Sequence, residues 1–512
     1  MKRFICVVMA ALMLFLHIDV LEAASVRPSV VSQNVKTSAS GKATAGKVTA
    51  GKTPAGKTKA GTPAPVTGAV SSAGPRLSAV RYGDSTERLR IVLDTGSVPE
   101  YTVTKENNGT RLVVTMNNLA TSIQSAPDCG SNVIRDVILG TYGSDTVQLI
   151  VDMKAALDTK VYALQNPGRI VIDIQKEYEK ETVTSIAPGL SYTKYVRVDS
   201  RGMLTSYLLE VDRNRFDVGL ALAGGSISSG RASVKSIAGA RGAVAAVNGG
   251  YFGLDGMLIG NTRIDGQTAG TTYYRRTSLG FMPDGTLKLA PSEYYGEVNV
   301  KGKKVFLSGV NCERGENTTI LYNSLFGSYT KTNEFGTEYV IRDGRVTAVS
   351  QGNSFIPSGS QVISVHGTAQ EAFAGVKVGD KVAVGESFGS ELDGAKNIIG
   401  AGPELLRGGM VNVTAEAEQF PNDIARGRAP RTAVGIKADG KMLLLVVDGR
   451  QSHSIGATLV ETAQLLKRFG AVNGFNLDGG GSSELVLQGQ IMNSPSDGRE
   501  RAVGSAVVVV RK

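Results

Sequence analysis

The sequence predicts an α+β fold, a mixed and β-rich sheet with few helices, preceded by a small all-β domain. Three observations carry this expectation. Short apolar runs of strand length recur from residue 76 onward. Glycine is abundant, at 63 of 512 residues, which favours turns and strands over long helices. Segments with helical spacing are few and short.

Taken in order, Met1-Lys2-Arg3 and the apolar Phe4 to Leu16 read as a secretory signal, too short for a membrane span, with cleavage near Ala23 or Ala24. An exported protein of the periplasm or cell envelope is expected. Residues 25–75 form a basic Gly/Lys/Ala/Thr linker in which Gly41, Gly46, Gly51 and Gly56 are each followed by lysine. With almost nothing apolar to bury, it is expected to be disordered. Arg27 and six lysines place seven of the ten net positive charges there without one acid. An anionic wall polymer or membrane surface would attract this tail, a soluble spacer is the other reading, and no nucleic-acid partner is expected. Beyond the signal, Cys129 and Cys312 leave open a disulfide or two buried thiols. His366 and His453, far apart, argue against an imidazole-rich zinc site.

Between Arg76 and Lys176 the alternating runs Leu89–Leu93, Arg111–Thr115, Val147–Val151 and Arg169–Ile174 are separated by turn residues, as in an all-β domain. Asn166-Pro167-Gly168-Arg169-Ile170-Val171-Ile172-Asp173 resembles the closing strand of AMIN domains, envelope-targeting β modules of which some bind peptidoglycan. The charged residues 177–194 read as a linker. A larger domain is expected over residues 195–512, with residues 295–395 as its β-rich elaboration.

In that domain Leu204 to Val211 and Phe216 to Leu222 are strand-like and Val234 to Arg241 a short helix, leading into Ala243–Val247 and Asn248-Gly249-Gly250-Tyr251-Phe252. Asn248 offers a donor and an acceptor to a sugar hydroxyl, or serves as a left-handed turn residue. Arg426, Arg428 and Arg431 precede a strand, and Arg431 is the best placed to hold a phosphate through bidentate hydrogen bonds.

Two apolar runs then end in carboxylates. Met442–Val447 delivers Asp448, and Gly474-Phe475-Asn476-Leu477 delivers Asp478, followed by Gly479-Gly480-Gly481-Ser482-Ser483-Glu484. Between them Leu459, Val460, Ala463, Leu466 and Phe469 recur at helical spacing, with Ser454 as cap and Gly470 as stop. Strand, helix, strand implies parallel strands whose carboxylates emerge at one sheet edge.

Asn248–Phe252, Gly402-Pro403 with Gly408-Gly409, Arg431-Thr432-Ala433, Asp448-Gly449-Arg450, Asn476–Ser483 and Asn493-Ser494-Pro495 occur in the order found in the phosphodiester glycosidase family. The resemblance spans roughly three hundred residues, and an ordered set is more specific than any single motif. It implies hydrolysis between an anomeric carbon and a phosphate oxygen, with a sugar phosphodiester or envelope glycan as substrate and an N-acetylglucosamine-type sugar expected. On that basis Asp478 is the base or electrostatic stabiliser, Asp448 a supporting carboxylate and Arg431 the phosphate clamp. Asn248, Gly249, Gly250, Asn476, Gly479, Gly480 and Ser482 would line the sugar, and Arg501 would face phosphate. Glu484 is a weaker alternative, expected to face solvent if a strand resumes at Ser483. No cofactor is assigned; a divalent cation near the two aspartates stays open, with its ligands unassigned. Two rival readings are a zinc amidase of the wall, disfavoured by the histidine count, and a non-catalytic polysaccharide-binding protein.

Overall fold

The computed structural model describes residues 74–512 apart from Ser200 and Tyr273. The signal and most of the basic linker lie outside the described residues.

Residues 76–176 form two four-stranded antiparallel sheets. One runs in the order Ala79–Asp84, Arg88–Gly96, Gly168–Gln175, Thr159–Leu164, and the other Glu100–Glu106, Arg111–Asn117, Thr146–Met153, Ile134–Tyr142. Period-two alternation turns Leu89, Ile91 and Leu93 inward to full burial. The outward face is fixed by cross-strand ion pairs: Arg90 stands opposite Asp173 in the register and bonds it at 2.7 and 2.8 Å. The core between these sheets also takes in Val198 and Met203 from the next strands.

The expected linker is corrected here. Tyr178–Ala187 and Leu190–Asp199 pair antiparallel as the first two strands of an eight-stranded sheet. Glu179, Lys180 and Glu181 lie on its exposed edge, where charge discourages pairing with another chain. A charged edge strand and a linker look alike in sequence.

The sheet continues through Gly202–Val211, Met442–Val447, Arg431–Lys437, Ala471–Asn476, Glu404–Arg407 and Met410–Val411. A five-stranded sheet packs against it in the order Phe216–Leu222, Ser505–Arg511, Ala245–Asn248, Leu485–Leu487, Gln490–Ile491. Leu209, Leu444, Val446, Phe475, Val247 and Val507 fill the space between them. Helix Leu459–Arg468 covers the outer face of the larger sheet, and helix Val234–Ala240 that of the smaller. The result is helix, sheet, sheet, helix, an α+β arrangement dominated by strands.

The longer helix starts later than expected. Ser454 spends its hydroxyl on the Asp448 carbonyl at 2.6 Å. Thr458 is the cap instead, in a reciprocal capping box with Glu461. Residues 295–395 add further β-sheets, with a core around Val298, Leu321, Ile363 and Val365. Cys129 and Cys312 are both free thiols. No helix among the described residues is long and apolar enough to cross a membrane.

Candidate active site

The middle of the larger sheet sets the site. Strand Arg431–Lys437 is antiparallel to Met442–Val447 on one side and to Ala471–Asn476 on the other. The outer two strands are therefore parallel, joined over helix Leu459–Arg468 with an opposed strand between them. Asp448 and Asp478 thus leave at the same edge, as the sequence implied, with Arg431 starting the strand that separates them.

They leave by different faces. Phe475 and Leu477 point into the core between the sheets, so alternation sends Asn476 and Asp478 the other way. Val446 also faces that core, and Asp448 follows it to meet the Tyr207 hydroxyl at 3.0 Å. The two carboxylates share no hydrogen-bond partner among the described residues.

Asp448 sits at a buried hydrogen-bonded hub. It is 1% exposed and accepts hydrogen bonds from Tyr207, Asn493 and the Ser494 amide, while His453 Nε2 lies 3.0 Å away. Both oxygens are occupied. These bonds fasten the 448–454 loop to the 493–494 turn, which Gln451 and Ser494 reinforce with two more at 2.8 Å.

Asp478 has the opposite character. Its carboxylate is half-buried at the rim, accepts from the Gly479 amide at 2.9 Å and is bonded by the Ser482 hydroxyl. Burial pushes its pKa up to about 6, against the pull of Ser482, Gly479 and Arg501 toward the ionised form. A carboxylate poised there can exchange a proton near neutral pH. Its main chain is held between Asn248, which donates to the Asp478 carbonyl at 2.7 Å, and the Gly249 carbonyl, which accepts from the Asp478 amide at 3.2 Å.

Several residues expected to line the sugar take part in this frame. Asn248, 1% exposed, also accepts from Thr432 at 2.7 Å and from the Glu484 amide at 3.3 Å, so its side-chain amide is committed to bracing strands. Ser482, 2% exposed, is spent on Asp478. Gly249 and Gly250 permit close backbone packing: a Cβ would meet the Ser505 hydroxyl at 2.3 Å in the first and the Gly400 carbonyl at 2.6 Å in the second. Gly479 packs on the Pro430 carbonyl, and Gly480 turns the chain at φ +63°. Asn476 is buried too, donating to Tyr251 at 3.1 Å, while its Oδ1 has no partner among the described residues.

Arginines surround the turn. Arg431, 3% exposed, gives Nε to the Ala457 carbonyl and Nη2 to the carbonyls of Ile424 and Gly427. Burial pulls its pKa down. Arg501 is ion-paired with Asp497 at 2.7 Å, and its guanidinium occupies the space a Gly481 side chain would need. Arg450, to which the sequence assigns no role, is exposed, holds φ +60°, lies over Gly480 and adds its positive charge to that around Arg431. Sequence reasoning also misses Tyr251: burial first and the Asp478 charge second push its hydroxyl pKa up, and it bonds the Gly402 carbonyl at 3.1 Å. The adjacency of these two residues to Asp448-Gly449 and Asn248-Gly249-Gly250 is the available signal. Glu484, expected at the surface, is 1% exposed.

No group of three or more His, Cys, Asp or Glu side chains suited to a metal occurs among the described residues. The edge can offer a phosphate several positive groups and one half-buried carboxylate beside them.

Comparison with known proteins matches two parts of the chain to family models. Residues 335–510 match the family model of phosphodiester glycosidase, and residues 79–165 match that of the AMIN domain. Among curated proteins the chain is 41% identical over 80 residues to the SPbeta prophage-derived uncharacterized protein YomE of Bacillus subtilis, covering 16% of this chain and 12% of that one. It is 32% identical over 155 residues to N-acetylglucosamine-1-phosphodiester alpha-N-acetylglucosaminidase of Bos taurus, covering 28% of this chain and 29% of that one. The chain thus spans less than a third of the length of these curated relatives. The crystal structure of a hypothetical protein from Synechocystis superposes with a TM-score of 0.58 at 22% identity, covering 86% of this chain and 81% of that one, a likeness of fold.

Proposed function

We propose that this chain, whose residues 335–510 match the phosphodiester glycosidase family, is an exported hydrolase that cleaves the bond between a sugar C1 and the oxygen of a phosphodiester. The observation that carries the reading is Asp478, a half-buried carboxylate whose pKa burial raises to about 6, on the turn after a central strand, with Arg501 within electrostatic reach, Arg450 over Gly480 and Arg431 beside Gly479. Cleavage develops positive charge at the anomeric carbon and negative charge on the departing phosphate. Asp478 in its ionised form stabilises the first or takes a proton from the attacking water. The arginines stabilise the second, Arg431 as a fixed group and Arg450 as an exposed one.

A phosphomonoester is a good leaving group, so this chemistry places small demand on a second acidic carboxyl. An N-acetylglucosamine-type sugar is the substrate class the Bos taurus relative's name supports. The AMIN match supports an envelope glycan as the partner of the N-terminal sheets, and with the sequence signal supports export.

The test is product analysis after incubating the full chain with an α-N-acetylglucosaminyl phosphodiester. Free N-acetylglucosamine plus a phosphomonoester, lost in Asp478→Asn, is the expected result. Release of the sugar phosphate would mean that the other ester bond is cut. Wild-type turnover by Asp478→Asn would remove Asp478 from the mechanism.

A further inference from the structure

Arg276, which opens strand Arg276–Phe281, is an arginine without a counter-ion. Its guanidinium is held against two aromatic rings, 4.0 Å from the Phe420 centroid and 4.6 Å from that of Tyr274. Stacking on aromatic faces fixes the plane of a guanidinium and leaves the N–H groups in that plane free to donate. Nε is buried without a partner, and the guanidinium forms neither an ion pair nor a hydrogen bond among the described residues. Glu418, the acid whose charge reaches it, spends both oxygens elsewhere. Oε2 accepts from the Thr277 amide at 2.9 Å, and Oε1 from the Thr277 hydroxyl at 2.6 Å and the Glu404 amide at 3.1 Å. Burial pulls the Arg276 pKa down, as for a cation that the chain leaves uncompensated. A half-buried guanidinium with an idle donor is costly unless an anion from outside the chain completes it.

The topology brings this donor to the Asp478 edge. Strand Arg276–Phe281 pairs antiparallel with Asn397–Gly400, Ser278 opposite Gly400, so Arg276 is carried toward Gly402 as the partner strand ends. Phe420, on which Arg276 stacks, lies 3.4 Å from where a Gly402 Cβ would stand and packs on Tyr251 with ring centroids 5.7 Å apart. The Gly402 carbonyl accepts from the Tyr251 hydroxyl at 3.1 Å, and the Pro403 carbonyl from the Asn476 amide at 2.9 Å. Asn476 Nδ2 completes the circuit by donating to the Tyr251 hydroxyl at 3.1 Å, and Asp478 follows two residues later on the same face. The other guanidinium groups are less free: Arg431 donates to three main-chain carbonyls and Arg501 is paired with Asp497.

Resting on the glycosidase reading, we propose that Arg276 grips the substrate phosphate, donating Nε and one Nη as a bidentate fork to its two non-bridging oxygens. When the C1–O bond breaks, its electron pair stays with the phosphate, which passes from monoanion to dianion. The attacking water becomes the C1 hydroxyl and gives its proton to Asp478. A fork already aimed at the phosphate binds the added charge more tightly than the starting diester, so Arg276 acts on kcat as well as on KM.

The first test needs no turnover. Thermal melting of the full chain is followed with and without inorganic phosphate, at matched ionic strength, for the wild type, Arg276→Gln and Arg276→Lys. A ligand of the folded state raises Tm by mass action. Phosphate should raise the wild-type Tm, and that rise should vanish in Arg276→Gln and shrink in Arg276→Lys, which keeps the charge but not the fork. The lysine variant carries the test if the glutamine variant fails to fold. Equal rises in all three proteins, or none in the wild type, would overturn the proposal. An arginine that only packs would lower Tm in the variants and leave the phosphate-induced rise intact.

The second test is kinetic, on the α-N-acetylglucosaminyl phosphodiester. Arg276→Gln should lose at least about a hundredfold in kcat/KM, the scale of removing one donor to a developing oxyanion, with kcat lowered and KM raised. Arg276→Lys should recover part of the loss. Unchanged kinetics in Arg276→Gln would overturn the contact with substrate. Absence of turnover in the wild type, with the phosphate-induced rise still lost in Arg276→Gln, would instead sink the glycosidase reading and leave the anion site standing.

Discussion

Asp478 bears its charge in a place that resists it. Its pKa is raised from 3.8 to about 6, so the ionised carboxylate costs the fold stability as pH rises through that window and the full cost is present above it. Discounted for partial solvent access, the cost is on the order of 2 kcal/mol, since each tenfold change in proton affinity is worth about 1.4 kcal/mol. Asp478→Asn should therefore raise Tm at pH 7.5 and leave it nearly unchanged at pH 4, measured by thermal melting of both proteins. The wild-type turnover should fall as pH drops below about 6, when the active carboxylate is protonated. Sequence alone locates Asp478 because an apolar run, a carboxylate and three glycines declare a strand end and a turn. It does not reveal the burial of Glu484 or the hydrogen-bond partners of Asp448, since Tyr207 and Asn493 are distant from Asp448 in sequence.

Among the elements, the turn after strand Ala471–Asn476 depends on having no side chain at Gly481. A Cβ there would meet Arg501 Nη2 at 2.2 Å and Asp497 Oδ2 at 2.4 Å, so Gly481→Ala must displace that ion pair. Gly481 is buried, but the groups the methyl displaces, Arg501 and Asp497, are both substantially solvent-exposed, so the fold should survive with Tm lowered by no more than about 5 °C. The kcat/KM on the phosphodiester should drop at least about tenfold, equivalent to about 1.4 kcal/mol of transition-state stabilisation. Unchanged kinetics would show that Arg501 takes no part. The strand–helix–strand unit is legible from periodicity, and its shared sheet edge is real. The intervening Arg431–Lys437 strand is not, because pairing order is decided by register across the sheet rather than by spacing along the chain. Nor is the division of Asp448 and Asp478 between two faces.

Over the whole molecule, the all-β segment and the α+β segment are both visible in composition and alternation, while the boundary at 177–194 is misplaced because a charged edge strand has the composition of a connector. The seven positive charges between Ser25 and Gly74 predict that any attraction of this segment to an anionic wall polymer is electrostatic. Cosedimentation of the full chain with teichoic-acid-type polymer should weaken steeply between about 50 and 500 mM salt as the Debye length contracts. Deleting residues 25–74 should remove most of that salt dependence; an unchanged dependence would assign the contact to the folded sheets. The placement of strand Ser505–Arg511 bears on biogenesis. It lies between Phe216–Leu222 and Ala245–Asn248, with Leu222 paired to Ser505, so the smaller sheet lacks the interior strand that joins these two until the chain through residue 511 has been synthesised. Such long-range closure is slow, so this sheet should be among the last parts of the molecule to gain protection, as pulse-labelled hydrogen exchange during refolding would show.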